Sequence, residues 1–174
     1  MLHHAHVPIL GFAAFSGVGK TTLLTQLIPL LKPRLRIGLI KHSHHNFQID
    51  QPGKDSFRLR AAGASPVMLV SSHRRAIITE FATPHEPNLD EQLKYLDQSE
   101  LDLILVEGFK AEAFPKIELH RPALNKPFLY PHDPTIIAVA TDGDFALPEH
   151  LPRLDLNHPQ QIAQFILEQC MRAL

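Results

Sequence analysis

Residues 9–22 read Ile9-Leu10-Gly11-Phe12-Ala13-Ala14-Phe15-Ser16-Gly17-Val18-Gly19-Lys20-Thr21-Thr22. An apolar run breaks into a turn with two glycines, then passes into a pattern with Leu23, Leu24, Leu27, Ile28 and Leu31 on one helical face. This reads as a strand, a tight loop and a helix that lays its leucine face on a sheet.

That order of elements suits a phosphate-binding loop. A phosphate chain needs several backbone N–H groups aimed at one point, and Gly17 and Gly19 permit the required backbone. The helix beginning near Lys20 presents its unpaired N–H groups and positive dipole end to the anion. Ser16, Gly17, Val18 and Gly19 form the wall of the cup. Lys20 supplies a mobile charge for the terminal phosphates, the Thr21 hydroxyl is placed to ligate magnesium, and Thr22 faces the innermost phosphate. The pattern departs from G-x-x-x-x-G-K-[ST] at one place, where Ala14 stands for the first glycine.

Working outward, 174 residues with 44% hydrophobic and 20% charged content suit one folded domain, expected over residues 7–174 behind a frayed segment over 1–6. The segment holds His3, His4 and His6, whose metal-binding reading is weaker than that of a loose end. A net charge of −1 gives no basic stripe for nucleic acid. Cys170, the single cysteine, has no disulfide partner within the chain. No run nears the roughly 18 apolar residues of a membrane helix. With no leader pattern, the expected location is cytoplasmic.

Pro29 is expected to kink or end the first helix. Leu35 to Ile40 reads as a second buried strand, parallel to the first. Its carboxyl end opens into Lys41-His42-Ser43-His44-His45 and a polar segment to Ser56, on the edge where open α/β sheets bind ligands. The histidines His42, His44 and His45 lack a strong zinc spacing, so surface or nucleotide-edge roles are favoured. Asp50 is a candidate for orienting the attacking water or the magnesium shell. Asp55 is equally a functional carboxylate or the N-cap of a helix over 56–62 that Gly63 ends. Residues 66–70 and 76–80 suit two strands, with Arg74 and Arg75 in a solvated turn between them.

A short helix over 88–97 precedes the apolar strand Leu101 to Val106, which closes with Glu107-Gly108-Phe109-Lys110. A carboxylate there can hold a metal-bound water, so Glu107 is read as the second magnesium-shell residue. Lys116 to His120 alternates as a strand, and 122–134 is a proline-rich loop. Residues 135–140 form another buried strand, ending at Asp142, whose two oxygens can accept from N1 and N2 of guanine and so favour GTP over ATP. Asp142-Gly143-Asp144 also fits a plain turn. A helix over 158–174, capped by Asn157, buries Cys170 as a small structural residue.

Together the phosphate loop, Gly38 to His45, Asp50 through Ser56, and Leu101 to Lys110 resemble the molybdopterin-guanine dinucleotide biosynthesis protein B family, MobB, over nearly the whole chain. The resemblance implies a three-layer α/β P-loop NTPase fold with a mostly parallel twisted sheet and helices on both faces. It also implies a homodimeric, weakly hydrolytic GTP-binding protein with magnesium. Its implied role is an adapter or nucleotide supplier in molybdenum cofactor maturation, beside the guanylyltransferase that attaches GMP to molybdopterin, and molybdopterin itself is a further candidate contact. The candidate catalytic residues are Lys20, Asp50 and Glu107. No arginine stands out as a finger in cis, worth about 10³ to 10⁵ in rate, so slow hydrolysis is expected. A small-molecule kinase, a GTP-dependent metal-insertion chaperone and a pure binding module are the alternatives.

Overall fold

The computed structural model describes residues 2–43 and 46–173. His44 and His45, two members of the histidine cluster, lie outside the described residues. In chain order the elements are β1 (Ile9–Ala13), α1 (Lys20–Leu31), β2 (Ile37–Lys41), α2 (Asp55–Ala61), β3 (Val67–Val70), β4 (Arg75–Ile78), α3 (Leu89–Leu93), β5 (Leu103–Glu107), β6 (Lys116–His120), β7 (Ile136–Thr141), β8 (Arg153–Asp155) and α4 (Pro159–Ala173). The chain divides into two compact units, Met1–His42 with Pro87–Leu174, and Ser43–Glu86.

The first unit holds a six-stranded, wholly parallel sheet in the order β2-β5-β1-β6-β7-β8. β1 sits between strands that come much later in sequence, so the loop after it opens where the strand order reverses, the place where such sheets bind ligands. Alternation along each strand sends side chains to two faces. Leu10, Phe12, Leu103, Leu105, Ile117 and Leu119 meet the apolar stripes of α1 (Leu23, Leu24, Leu27, Leu31) and α4 (Ile162, Ala163, Ile166, Cys170). Ile9, Ile104 and Val106 meet Leu89 and Leu93 of α3 on the other face. Helices thus cover both faces, the three-layer arrangement the sequence predicts. Residues 2–6 join this unit: Leu2 and Ala5 pack against the α3 side, and the buried Gln98 side chain accepts from His6 N–H and donates to the His4 carbonyl.

Two local expectations change and one strand is added. Pro29 lies inside α1, which runs on to Leu31; a proline so near the helix end removes one backbone bond without stopping the last turn. α4 starts at Pro159, so His158 rather than Asn157 occupies the cap, and the proline takes the first helical position, where no N–H is needed. The three-residue β8, for which the sequence raises no expectation, closes the sheet beside β7.

β6 alternates as expected, yet neither face is wet. Lys116, Glu118 and His120 are all buried, because the proline-rich segment folds over their face. Lys116 Nζ donates to Asp133 at 3.1 Å, the Thr135 hydroxyl at 2.7 Å and the Glu112 carbonyl at 2.6 Å. Glu118 accepts from Leu129 N–H at 2.7 Å and Tyr130 N–H at 2.9 Å, and burial pushes its carboxyl above the usual glutamate range against these two donors. His120 stacks on Phe128 with centroids 4.0 Å apart. Three ionisable groups therefore strap one loop to the sheet.

The second unit contains α2 and the antiparallel hairpin β3–β4. Lys54, not Asp55, is the N-cap of α2, with no side-chain cap bond. Asp55 instead takes the first helical position, where its charge complements the dipole. Gly63 follows the helix at φ 106°, the left-handed stop that glycine favours. The turn between β3 and β4 is closed by Ser71, whose Oγ accepts from the N–H groups of His73 and Arg74. Arg74 is exposed on it, as a solvated turn requires, whereas Arg75, also exposed, already opens β4 opposite Val70.

Candidate functional site

At the end of β1 the chain stays fully buried for one residue more. Ala14 is fully buried in the core and its φ is not positive, so alanine meets both demands of the position where a glycine is usual. Ser16 and Gly17 are exposed, whereas Val18 is 3% exposed and belongs to the core, so it pegs the loop down. Gly17 has φ 84° and Gly19 φ 102°. A Cβ at Gly17 would meet nothing within 4 Å, so backbone conformation rather than protein crowding calls for glycine there. Gly19 is the N-cap of α1 and Lys20 its first residue, with Thr21 and Thr22 exposed in the first turn. No acidic residue occupies that turn, which leaves the dipole end free for an anion.

Burial, then the charge of Lys110, push the Lys20 ammonium below the ordinary lysine value, with Glu107 opposing and Lys41 adding to the fall. Phosphate pairs with the protonated amine, so anion binding needs that proton. Affinity is therefore expected to decline with rising pH earlier than an unperturbed lysine allows, and Lys110→Gln is expected to move the midpoint upward. Calorimetric titrations with GTP from pH 7 to about 10.5, spanning the ordinary lysine pKa, check this.

Glu107 ends β5 in register with Phe12 of β1 and Lys41 of β2. Its carboxylate pairs with Lys41 Nζ at 3.2 Å and its side chain is 13% exposed. The turn behind it is constrained: Gly108 has φ 106° and a Cβ there would stand 2.6 Å from His42 Cβ. Phe109, a non-glycine residue at φ 50°, is buried and stacks on His42 at 4.7 Å. Consecutive left-handed residues turn the chain back sharply at the sheet edge, a conformation that needs surrounding packing to hold it.

Asp142 follows β7 at the same edge and is paired with Arg121 Nη1. Arg121 also donates from Nε to the Val18 carbonyl at 2.9 Å. Arg121 is the residue that the sequence alone did not single out: there, no arginine stands out as a finger in cis, and only Arg74 and Arg75 come into question. Its signal was its place, directly after β6 at the carboxyl edge. A cleft of about 400 Å³ opens beside it, lined by Thr141, Asp142, Asp144, Asp155, Asn157 and Gln161. A larger cleft of about 560 Å³ lies at the amino edge by Val7, Leu96 and Leu101, away from the loop. Asp50 belongs to the second unit, where Ser56 Oγ donates to its Oδ1 at 2.8 Å. Among the described residues no group of three or more His, Cys, Asp or Glu side chains is arranged to hold a metal ion.

A parallel sheet with its first strand at the switch point, a left-handed glycine loop and a lysine opening the next helix define the P-loop NTPase-like class of α/β proteins. Within that class, the family model for molybdopterin guanine dinucleotide synthesis protein B matches residues 9–142. A molybdopterin-guanine dinucleotide biosynthesis adapter protein of Haemophilus influenzae is 48% identical over 161 residues, covering 92% of this chain and 88% of the relative. The Escherichia coli protein of the same name is 49% identical over 166 residues, 93% of each chain. A crystal structure of molybdopterin-guanine biosynthesis protein B superposes with a TM-score of 0.71 at 27% identity, covering 92% of this chain and 99% of that one. The chain belongs to the MobB family.

Proposed function

We propose that this chain is an adapter in molybdopterin guanine dinucleotide synthesis that binds GTP with magnesium and hydrolyses it slowly. Its partner would be the guanylyltransferase that uses GTP. The family and its adapter-named relatives support the pathway. The observation that carries nucleotide binding is the left-handed loop at Gly17 and Gly19 running straight into Lys20 at the start of α1.

The phosphates lie along the Ser16–Thr22 backbone, with Lys20 on the terminal ones. Thr21 and Glu107 offer a hydroxyl and a carboxylate oxygen, hard donors that suit magnesium, and Glu107 stands on the strand next to β1. When bound, the ion would neutralise charge on the outer phosphates. Glu107 now pairs with Lys41, so binding would exchange one cation for another. Asp142, on the rim of the 400 Å³ cleft, is the candidate reader of guanine; its Oδ1 makes no hydrogen bond among the described residues. The cleft falls within the usual range of ligand pockets, roughly 300–1,000 Å³. Arg121 is engaged with Val18 and Asp142 rather than presented to a transferred phosphate, in keeping with feeble turnover.

Homodimer formation is part of the proposal. Met68, Val70 and Ile77 are exposed on the hairpin, Met68 directly opposite Ile77, and a two-stranded hairpin with a bare apolar row is marginal by itself. A sedimentation mass of one chain at micromolar concentration would contradict this part.

The test of the whole reading titrates GTP and ATP into the purified chain with magnesium, then measures guanylyltransferase turnover with and without the chain. Saturable, GTP-preferring binding with altered transferase turnover is expected. Equal affinity for both nucleotides defeats the guanine assignment, and an indifferent transferase defeats the adapter role.

A further inference from the structure

The geometry points to Arg121 as a positioning residue for the phosphate loop: by holding the Val18 carbonyl from outside the loop, it aims the Gly19 N–H into the phosphate cup. The inference rests on the proposed nucleotide reading and adds to it a residue that touches neither phosphate nor base.

The chain brings the parts together through β6, which lies between β1 and β7 and is in register with both, Ala13 beside Glu118 and His120 beside Thr141. The residue after β6 therefore emerges between the phosphate loop and Asp142. Arg121 spans that gap, with Nε on the Val18 carbonyl at 2.9 Å and Nη1 on Asp142 Oδ2. Two donors in a rigid planar fork fix its plane, which a lysine cannot do. Val18 is held at both ends, since its side chain is buried in the core.

The consequence follows from peptide geometry. The only cis bond among the described residues is Ser65–Pro66, so the Val18–Gly19 peptide is trans. In a planar trans peptide the carbonyl and the N–H point in opposite directions. With the carbonyl turned toward Arg121, the Gly19 N–H is turned away from it, and no hydrogen-bond acceptor meets that N–H among the described residues. A hydrogen bond from a cation to the carbonyl also polarises the peptide and strengthens its N–H as a donor. Asp142 then acts through Arg121, with Oδ2 as the anchor that keeps the guanidinium in place.

The experiment uses magnesium tripolyphosphate beside GTP, because a probe with no base is blind to any reading of guanine by Asp142. Calorimetry on the parent, Arg121→Ala, Arg121→Lys and Asp142→Asn is paired with ¹⁵N spectra of the free proteins. Arg121→Ala is expected to weaken tripolyphosphate and GTP alike by about tenfold, the scale of one charge-assisted hydrogen bond. Arg121→Lys recovers part of this, Asp142→Asn shows a smaller loss on both probes, and the Gly19 amide resonance moves in Arg121→Ala while that of Gly17 stays. If Arg121→Ala does not fold, Asp142→Asn carries the same test. Unchanged tripolyphosphate affinity, or a loss confined to GTP turnover, overturns the assignment. A parent that binds tripolyphosphate while Arg121→Ala binds it equally well leaves the nucleotide reading standing and removes this one. A parent that binds neither probe removes both.

Discussion

Lys20→Ala is expected to weaken GTP binding by at least a hundredfold. Lys20 opens α1 directly behind two left-handed glycines, so its ammonium is the one side-chain cation built into the loop itself. Hydrogen bonds to charged groups contribute about 1.5–3 kcal/mol each. Contact with two phosphates would thus be worth about 3–6 kcal/mol, a factor from hundreds to about ten thousand in Kd. The side chain is only partly buried and supports no core contact, so the variant should keep its fold and lose its ligand. Calorimetry beside a thermal melt separates the two. A folded variant with parental GTP affinity would remove the phosphate role of the loop.

Glu118→Ala is expected to cost about 2–6 kcal/mol of stability, because two N–H groups, those of Leu129 and Tyr130, lose their acceptor under cover and each such orphan costs about 1–3 kcal/mol. The carboxylate is 1% exposed, so water cannot easily take its place. The loop it holds carries Phe128, Leu129 and Tyr130, which pack on Ile136, Val139 and Leu151, so the change loosens an apolar cluster as well as two hydrogen bonds. Urea unfolding measures the loss. Glu118→Gln, which keeps one acceptor oxygen, should fall between the two. A destabilisation under about 0.5 kcal/mol, the level of an ordinary surface change, would show that the strap is not structural.

The contrast between these residues shows what the sequence made legible. Residues 9–31 declare themselves because every signal is local: apolar run, glycines at the turn, lysine at the helix start and a leucine stripe at helical spacing. The same holds for β5 and β7, whose apolar runs need both faces covered. Lys116, Glu118 and His120 were legible as one face of a strand but not as a buried one, since their partners Asp133, Leu129, Tyr130 and Phe128 stand in a loop without periodicity, as far as 17 residues away. Arg121 was hidden for the same reason. Its contact with Val18 joins residues 103 apart, and only the strand order, with β6 beside β1, makes them neighbours. Asp142 was found as a carboxylate at a strand end, but its salt bridge was not, because the partner follows a different strand. Asp55 shows a smaller failure, where a one-residue shift in the helix start turns an expected cap into a first-turn acid.

The loop between Ala14 and Thr22 is the point on which the account turns, and a crystal structure with GTP and magnesium tests it most directly. Phosphate density is expected at the start of α1, with the Gly19 and Lys20 N–H groups and the Lys20 ammonium at about 2.7–3.2 Å from phosphate oxygens. Nucleotide bound at another surface, with those amides facing no anion, would contradict it.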